Sequence, residues 1–377
     1  MSTIAIVGAG LVGRLLALLL AKQPTNLVSE VSLFDKDDLL HENSTGRIAA
    51  AMVAPVAESV SASTHIMTMG QASLSLWPQL LSTLSITNVW WQQGSIILSH
   101  PQDLSTLQHF KQRLKQHTAA SIVEINAKHL AELEPDLANT FQQGLHLPLE
   151  GHIDNQQLYQ QTAAQIIHSN IQLFEHCPVK INGNTLVHKS GQQGKYDWII
   201  DCRGMGAEHR LLNPKATLRG VRGEVVRVRA PQVTLSRPVR IMHPRYPLYI
   251  VPKGNNQYVI GATEIESNSE AKMSVRSALE LLSAAYSVHS GFAEAEIISM
   301  QTGLRPTLLD NEPEITLHNN ILQVNGLYRH GYLLAPYILQ QLLLLIGSLN
   351  ESKADQWQVF GAANNALDNA LITRIEH

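Results

Sequence analysis

The chain has 377 residues, 44% hydrophobic, 16% charged and 5% aromatic, with 28 Lys+Arg against 31 Asp+Glu for a net charge of -3. This balance argues against a dedicated nucleic-acid binder and against a disordered acidic tail. The length implies roughly two to three domains, and two cysteines, Cys177 and Cys202, cannot build a disulfide framework, so a reducing, cytoplasmic setting is expected.

The N-terminus, MSTIAIVGAG, has no basic stretch ahead of its apolar run, so no targeting segment is expected. Residues 3–7 (TIAIV) are a short β-branched run stopped by Gly8 and read as a buried parallel strand. Residues 11–22 are apolar almost all round, as in a helix packed on a sheet. Their apolar run carries Arg14 and is shorter than the roughly 20 residues a bilayer requires. Residues 28–34 read as a second strand, ending at Asp35. Helical spacing marks 60–84 and 105–117, while 90–99 (WWQQGSIILS) reads as strand, turn, strand. A helix is predicted over 155–168 and a short buried strand over 198–202 (WIIDC), running into a glycine loop. Residues 220–262 are rich in β-branched residues and turn signals and predict antiparallel β structure. A helix follows over 275–290. The apolar run 332–346 contains Pro336, Gln340 and Gln341, which favours a buried helix over a membrane span. With no repeat or low-complexity linker in view, the β-rich middle is expected to form a second domain inserted between pieces of the first.

Gly8, Gly10 and Gly13 spell G-x-G-x-x-G after the first strand and at the start of the first helix. The first glycine permits the tight turn, the second lets the backbone approach a pyrophosphate, and the third lets helix and strand pack closely. The helix start offers free N–H groups to phosphate. Asp35, 22 residues beyond Gly13, is placed to accept hydrogen bonds from ribose hydroxyls and disfavours a 2′-phosphate. The fingerprint alone does not choose between FAD and NAD. The following segment, Ser44-Thr45-Gly46-Arg47-Ile48-Ala49-Ala50-Ala51-Met52, favours FAD, because successive small residues let backbone come close to a flat ring. Ser44, Thr45 and Arg47 could bind phosphate oxygens there. A small-residue helix packed on the sheet would account for the same residues equally well.

From this segment onward the chain resembles the FAD-dependent amino-acid oxidases of the D-amino-acid oxidase superfamily, and most closely the glycine oxidase branch. Residues 44–55 match the family form S-x-x-A-A/G-x-M-x-x-P, with alanines where the family often has glycine. Glu134-Pro135 matches its "EP" element, and Gly151-His152-Ile153-Asp154 its G-x-V-D-P turn, with Asn155 in place of proline. Cys177-Pro178-Val179 falls where the family backbone meets adenine, and Asp201-Cys202-Arg203-Gly204 where a strand-end loop passes the FAD. Residues 219–224 (RGVRGE), Tyr249-Ile250-Val251-Pro252, Ile260-Gly261-Ala262-Thr263, Gly303-Leu304-Arg305-Pro306 and 326–336 follow in the family's order.

The resemblance implies an α/β fold: a Rossmann-like FAD-binding domain with an interleaved α+β substrate domain on a mainly antiparallel sheet. Residues 1–85, 145–215 and 315–377 would form the first and 86–144 and 216–314 the second. It implies FAD held by Gly8, Gly10, Gly13, Asp35, Ser44, Thr45, Arg47, Ala51, Met52, Val179, Gly204, Arg305, Gly331, Tyr332 and Leu333. With no cysteine evident at the flavin loops, attachment is expected to be non-covalent. Arg305 matches the family's carboxylate clamp, a role suited to the planar guanidinium fork. Tyr249 matches its substrate-side tyrosine, with Tyr246 in the loop His243-Pro244-Arg245-Tyr246-Pro247 a close second. Arg329 and His330 fall beside the flavin, where glycine oxidases often have asparagine for the histidine. A helix starting near Tyr332 would aim its N-terminus at the flavin N1/C2=O edge.

The implied reaction takes a small amine substrate, glycine-like or a D-amino acid, to an imine by hydride transfer to flavin N5, with O2 reduced to H2O2. Enzymes of this branch feed such an imine into thiazole synthesis for thiamine. A flavin dehydrogenase passing electrons to a quinone or other carrier is the first alternative. A flavoprotein that modifies a partner protein is the second, motivated by the departures at Ala50, Ala51, Asn155, Arg203 and His330. No metal-ligand spacing and no catalytic triad is seen, and the number of subunits stays open between monomer and homo-oligomer.

Overall fold

The computed structural model describes residues 1–117, 122–207, 212–242, 248–349, 356–361 and 366–375. The loop 243–247, with His243 and Tyr246, lies outside the described residues.

The first strand, Ser2–Val7, shows why its sequence is apolar at consecutive positions. Ile4 and Ile6 face the helix Leu11–Ala21, while Ala5 and Val7 pack on the opposite side with Phe34, Val179 and Ile199. A strand covered on both faces has no polar side to display. It pairs in parallel with Val28–Phe34 and with Trp198–Asp201. The complete sheet runs Ile372–Arg374, Glu314–His318, Ile321–Asn325, Trp198–Asp201, Ser2–Val7, Val28–Phe34, Gln172–Phe174. Its strands therefore come from the first 34 residues, the stretch 172–201 and the region beyond 314. A small antiparallel meander, Val179–Asn182, Thr185–His188 and Gln193–Lys195, packs Val179 and Leu186 on the sheet face formed by Ala5, Val7, Phe34 and Ile199.

The second large sheet draws on residues 95–147 and 218–308. Leu218–Arg229 is its spine, flanked by Gln257–Gly261 and Ile265–Glu266 on one side and along its whole length by Glu296–Leu308 on the other. Leu248–Pro252 and Val239–Ile241 continue it in antiparallel fashion. The sequence expectation of antiparallel structure thus holds here, with one exception. Val239–Ile241 pairs in parallel with Ser95–Leu98. The helix Val275–Val288 covers one face with Leu281, Ala285 and Val288.

Residues 90–99 are strand, turn, strand as expected, but the two strands do not pair with each other. Trp90–Trp91 joins a small sheet with Gly151–Ile153, whereas Ser95–Leu98 enters the second large sheet. The helix expected over 60–84 begins at Thr64, where Ser63 caps it by accepting from the Ile66 N–H at 3.1 Å. A separate short helix, Pro55–Glu58, precedes it.

The apolar run near the end becomes the helix Gly331–Leu349, which is long and apolar enough to cross a membrane and is mostly buried inside the protein. It packs on Thr64–Thr83. Each fully buried leucine along it contributes about 1.5–3 kcal/mol. Pro336 cannot donate to the carbonyl of Tyr332. The Trp77 indole N–H donates to that carbonyl instead, at 2.8 Å, so the buried acceptor stays satisfied. Gln340 donates to Phe360 and Gln341 to Ala366, tying the C-terminal segment to the helix.

Candidate functional site

A cavity of about 950 Å³ runs from the glycine loop of the first sheet to the inner face of the second. At one end lies the fingerprint. Gly8 has φ +102, a backbone region favoured by glycine. A Cβ at Gly13 would collide with the carbonyl oxygen of Gly8, so close packing of helix and strand requires glycine there. Gly10 is different. It lines the cavity, and a Cβ there would meet no protein atom within 4 Å. The protein's own packing leaves that space free, on the side where the helix Leu11–Ala21 begins without a side-chain cap. A phosphate-bearing dinucleotide fits such a cradle.

Asp35 closes this end. Its Oδ2 accepts from the Ala9 N–H at 2.5 Å and its Oδ1 from the Asp37 N–H at 2.9 Å. Each carboxylate oxygen keeps a further lone pair for a ribose hydroxyl. Arg14, 1% exposed, does not reach for ligand. It donates to the carbonyls of Ala9, Leu39 and Tyr159 and lies 3.7 Å from the Tyr159 ring centre.

The small-residue segment forms one wall. Ser44, Thr45, Ala51 and Met52 line the cavity, while Ile48 packs beneath. Arg47 does not line it; its guanidinium donates to the Leu40 carbonyl. The segment's carbonyls are held from behind. The Asn155 amide donates to those of Gly46, Arg47 and Ala49 at 3.0, 2.6 and 2.7 Å. The Lys253 ammonium, 5% exposed, donates to those of Ala50 and Ile153 at 2.6 and 2.5 Å. Burial pushes the Lys253 pKa well below its ordinary value. Ala51 itself sits at φ 56, a conformation in which an L side chain is strained and glycine is not.

Val179, Cys202 and Gly204 line the same chamber. Both cysteines reach its wall, in the two segments whose resemblance placed them along the FAD: Cys177 beside Asp35 and Cys202 beneath Gly8. Burial raises both thiol pKa values, so neither is a ready thiolate. Arg203 is held by Asp201 at 2.7 Å. Asn155 and Arg203, two departures from the family pattern, therefore have structural work to do.

The far end carries the charged groups. Arg305 projects from Glu296–Leu308 and Tyr249 from Leu248–Pro252, both half-buried at the cavity. Arg305 donates to the carbonyls of Thr263 at 3.1 Å and Arg222 at 3.4 Å, and among the described residues no carboxylate lies within ion-pair distance of it. Gly223 makes room for it: a Cβ there would sit 2.5 Å from Nη2. The Tyr249 hydroxyl has no hydrogen-bond partner among the described residues. Burial raises its pKa, and the Arg305 charge acts in the opposite direction.

Arg329 is placed differently. It lies 3.1 Å from Glu58 and 3.1 Å from Glu264, and it donates to Ser61 at 2.5 Å. Glu58 also takes Arg240 at 2.7 Å. Although burial alone would raise the Glu58 pKa, Arg329 and Arg240 outweigh it and hold this carboxyl far below its ordinary range. His330, 3% exposed, lies 3.8 Å from Glu58, and burial lowers its pKa to about 4, so the ring is neutral near pH 7. Gly331, Tyr332 and Leu333 line the cavity at the start of the helix, where Tyr332 donates to the Gly46 carbonyl at 2.8 Å. A Cβ at Gly331 would also meet nothing within 4 Å. Glu58, Arg240 and Glu264 were absent from the sequence-level candidates. Their pairing with one another, and with Arg329, depends on contacts between distant segments. The position of Glu264, directly after Ile260-Gly261-Ala262-Thr263, was the one available signal.

Residues 3–340 match the family model described as FAD dependent oxidoreductase. A Rhizobium etli protein named, provisionally, thiamine biosynthesis oxidoreductase ThiO is 36% identical over 288 residues, covering 76% of this chain and 80% of its own. A glycine oxidase of Geobacillus kaustophilus is 24% identical over 347 residues, covering 88% and 89%. The crystal structure of a Bacillus cereus glycine oxidase superposes with a TM-score of 0.78 at 23% identity, over 92% of this chain and 98% of that one. The fold and the cavity thus define a flavoprotein oxidoreductase. The chain belongs to the FAD-dependent oxidoreductases of the D-amino-acid oxidase superfamily and is similar to their ThiO and glycine oxidase members.

Proposed function

We propose that this enzyme oxidises a small amino acid, glycine-like or a small D-amino acid, to its imine, with O2 as the electron acceptor. The observation that carries this reading is the pairing, at one end of the cavity, of an arginine without an ion-pair partner and a tyrosine hydroxyl without a hydrogen-bond partner among the described residues. Together, Arg305 and Tyr249 offer a fork and a third donor to one carboxylate. When bound, FAD would supply the acceptor for the hydride of the substrate Cα–H and a carrier for passing the two electrons, with two protons, to O2 as H2O2. Gly8, Gly10 and Asp35 would hold the dinucleotide end, with Val179 and Gly204 along its path. Ser44, Thr45, Ala51 and Met52 would wall the flavin, and Gly331, Tyr332 and Leu333 would meet its opposite edge. With both cysteines protonated, attachment is non-covalent in this reading.

Holding the carboxylate fixes where the Cα–H points, and orientation of this kind can supply up to roughly 7–11 kcal/mol of barrier lowering. His330 stays neutral and adds no second charge beside the reacting centre. A general base is not required, since a neutral amine can release hydride directly. The division into a discontinuous FAD unit (1–85, 145–215, 315–377) and an interleaved substrate unit (86–144, 216–314) belongs to the same reading. So does a role in supplying an imine for thiamine synthesis, supported by the name of the 36% identical relative.

The test is anaerobic addition of glycine, sarcosine and small D-amino acids to the purified holoenzyme. Bleaching of the flavin absorbance is expected, followed by stoichiometric peroxide when air is admitted. Failure of all these substrates to bleach the flavin refutes the substrate reading. Bleaching with peroxide absent, but turnover with an artificial quinone, assigns a dehydrogenase instead.

A further inference from the structure

Glu270 and Lys272 lie on the cavity wall, and among the described residues five further charged groups line its substrate end: Arg240, Arg305, Arg329, Glu58 and Glu264. Four of them are spent on each other. Arg240 and Arg329 share Glu58 at 2.7 and 3.1 Å. The Arg329–Glu58 contact is an ion pair without hydrogen-bond geometry, because the Glu58 Oε2 involved accepts no hydrogen bond. The hydrogen-bonded carboxylate partner of Arg329 is Glu264, at 3.1 Å. Glu264 is fixed in turn by the Tyr328 hydroxyl, which donates to its other oxygen at 2.6 Å. Burial acts to raise the Glu264 pKa, but Tyr328, Arg329 and Arg305 together hold it below its ordinary value. It is ionised at neutral pH.

We propose that Glu264 is the residue that sets the substrate class of this site: by neutralising Arg329 it leaves Arg305 as the one guanidinium at the substrate end without a carboxylate partner among the described residues, so the cavity accepts amino acids with one carboxylate and disfavours dicarboxylates. The inference rests on the amino-acid oxidase reading for the identity of the substrate, but its logic is electrostatic. With Glu270 and Lys272 cancelling each other, three arginines against two glutamates leave one net positive charge among the described residues. That charge matches a single carboxylate beside a neutral amine, the form from which hydride departs. A second carboxylate entering the same end would meet Arg329 already paired and would lie against the Glu264 carboxylate. Like charges brought together in a partly desolvated cleft disfavour binding. Removing the charge of Glu264 reverses the arithmetic. Glu58 cannot neutralise Arg240 and Arg329 at once, and a second net positive charge appears where the second carboxylate would sit.

Glu264 is 38% exposed, so its replacement leaves the packing intact. The test compares malonate with malonamate, which has the same size but an amide in place of one carboxylate. Each is titrated into the FAD-bound protein and followed by the shift of the flavin visible spectrum. In the unaltered protein, malonate is expected to bind no tighter than malonamate. In Glu264→Gln the malonate Kd should fall about tenfold, or about 1.4 kcal/mol, with the malonamate Kd unchanged within about twofold. Glu264→Met should act in the same direction. An unchanged malonate-to-malonamate ratio in both variants, or a preference for malonate in the unaltered protein, overturns the proposal. No turnover enters this readout. If amino acids fail to bleach the flavin while the malonate discrimination appears as described, the proposed function falls and the role of Glu264 stands.

Discussion

Replacing Arg305 with alanine removes the fork proposed to hold the substrate carboxylate. A hydrogen bond to a charged partner is worth about 1.5–3 kcal/mol net. Two such bonds in a half-buried cavity open to water put the loss at roughly 3–4 kcal/mol. At 1.36 kcal/mol per tenfold, kcat/KM should drop about 10²–10³-fold. The structural cost is smaller. Arg305 gives up hydrogen bonds to the carbonyls of Thr263 and Arg222 at 3.1 and 3.4 Å, about 1–2 kcal/mol of stability. The variant should therefore remain folded and yellow. Arg305→Lys keeps the charge and loses the planar fork, and should fall between the two. Gly223→Ala approaches the same group from the other side: its Cβ would lie 2.5 Å from Nη2 and 2.6 Å from Cζ, pushing the guanidinium off position while leaving it charged. The assay is the rate and the substrate dependence of anaerobic flavin bleaching. An Arg305→Ala protein that retains FAD and keeps kcat/KM within about threefold of the unaltered enzyme would refute the clamp.

Two further outcomes are expected. Gly10→Ala should fold normally, because its Cβ meets no protein atom within 4 Å, yet bind FAD at least tenfold more weakly; Gly13→Ala should lose thermal stability even without FAD, since its Cβ strikes the Gly8 carbonyl. Thermal melts of the two apoproteins separate these cases, and equal stability would refute the division of labour. Glu150, 0% exposed, receives the Ala57 N–H at 2.7 Å and the Ser95 hydroxyl, and burial pushes its pKa up to about 7. The folded protein then binds a proton that the unfolded chain releases near pH 4.3. The resulting stability is present below that pH and lost as pH rises through about 7. Glu150→Gln should flatten this decline, on the order of 3 kcal/mol, in urea melts between pH 5 and 8. An identical pH dependence in both proteins would show that Glu150 is ionised throughout.

Much of the site was legible because its constraints are local. The turn after Ser2–Val7, the helix that follows and Asp35 at the end of the next strand are dictated within 35 residues, and the structure brings Gly8, Gly10 and Asp35 together at one end of the cavity. Tyr249 and Arg305 were legible through resemblance, each carried by a short motif. The placement of Arg47 was not legible, because a basic residue in a phosphate-like segment reads the same whether its side chain faces the cavity or, as here, turns back to the Leu40 carbonyl. Asn155 stood out as a departure from the family turn; only its three hydrogen bonds to the carbonyls of 46, 47 and 49 explain it.

The sequence by itself determined the dinucleotide fingerprint and the two kinds of sheet, while resemblance pointed to the chemistry of the far end. It could do so because turn conformation, side-chain periodicity and residue type are properties of short segments. The tertiary structure alone decided which charges are free. Glu58, Arg240, Glu264 and Arg329 lie far apart in the chain, and ion pairing in a partly dry cavity is set by separation in space. That pairing engages Arg329 and leaves Arg305 without a carboxylate partner among the described residues, a difference in pairing that their short motifs do not carry. The same holds for Trp90–Trp91 and Ser95–Leu98, neighbours in the chain whose hydrogen-bond partners belong to different sheets.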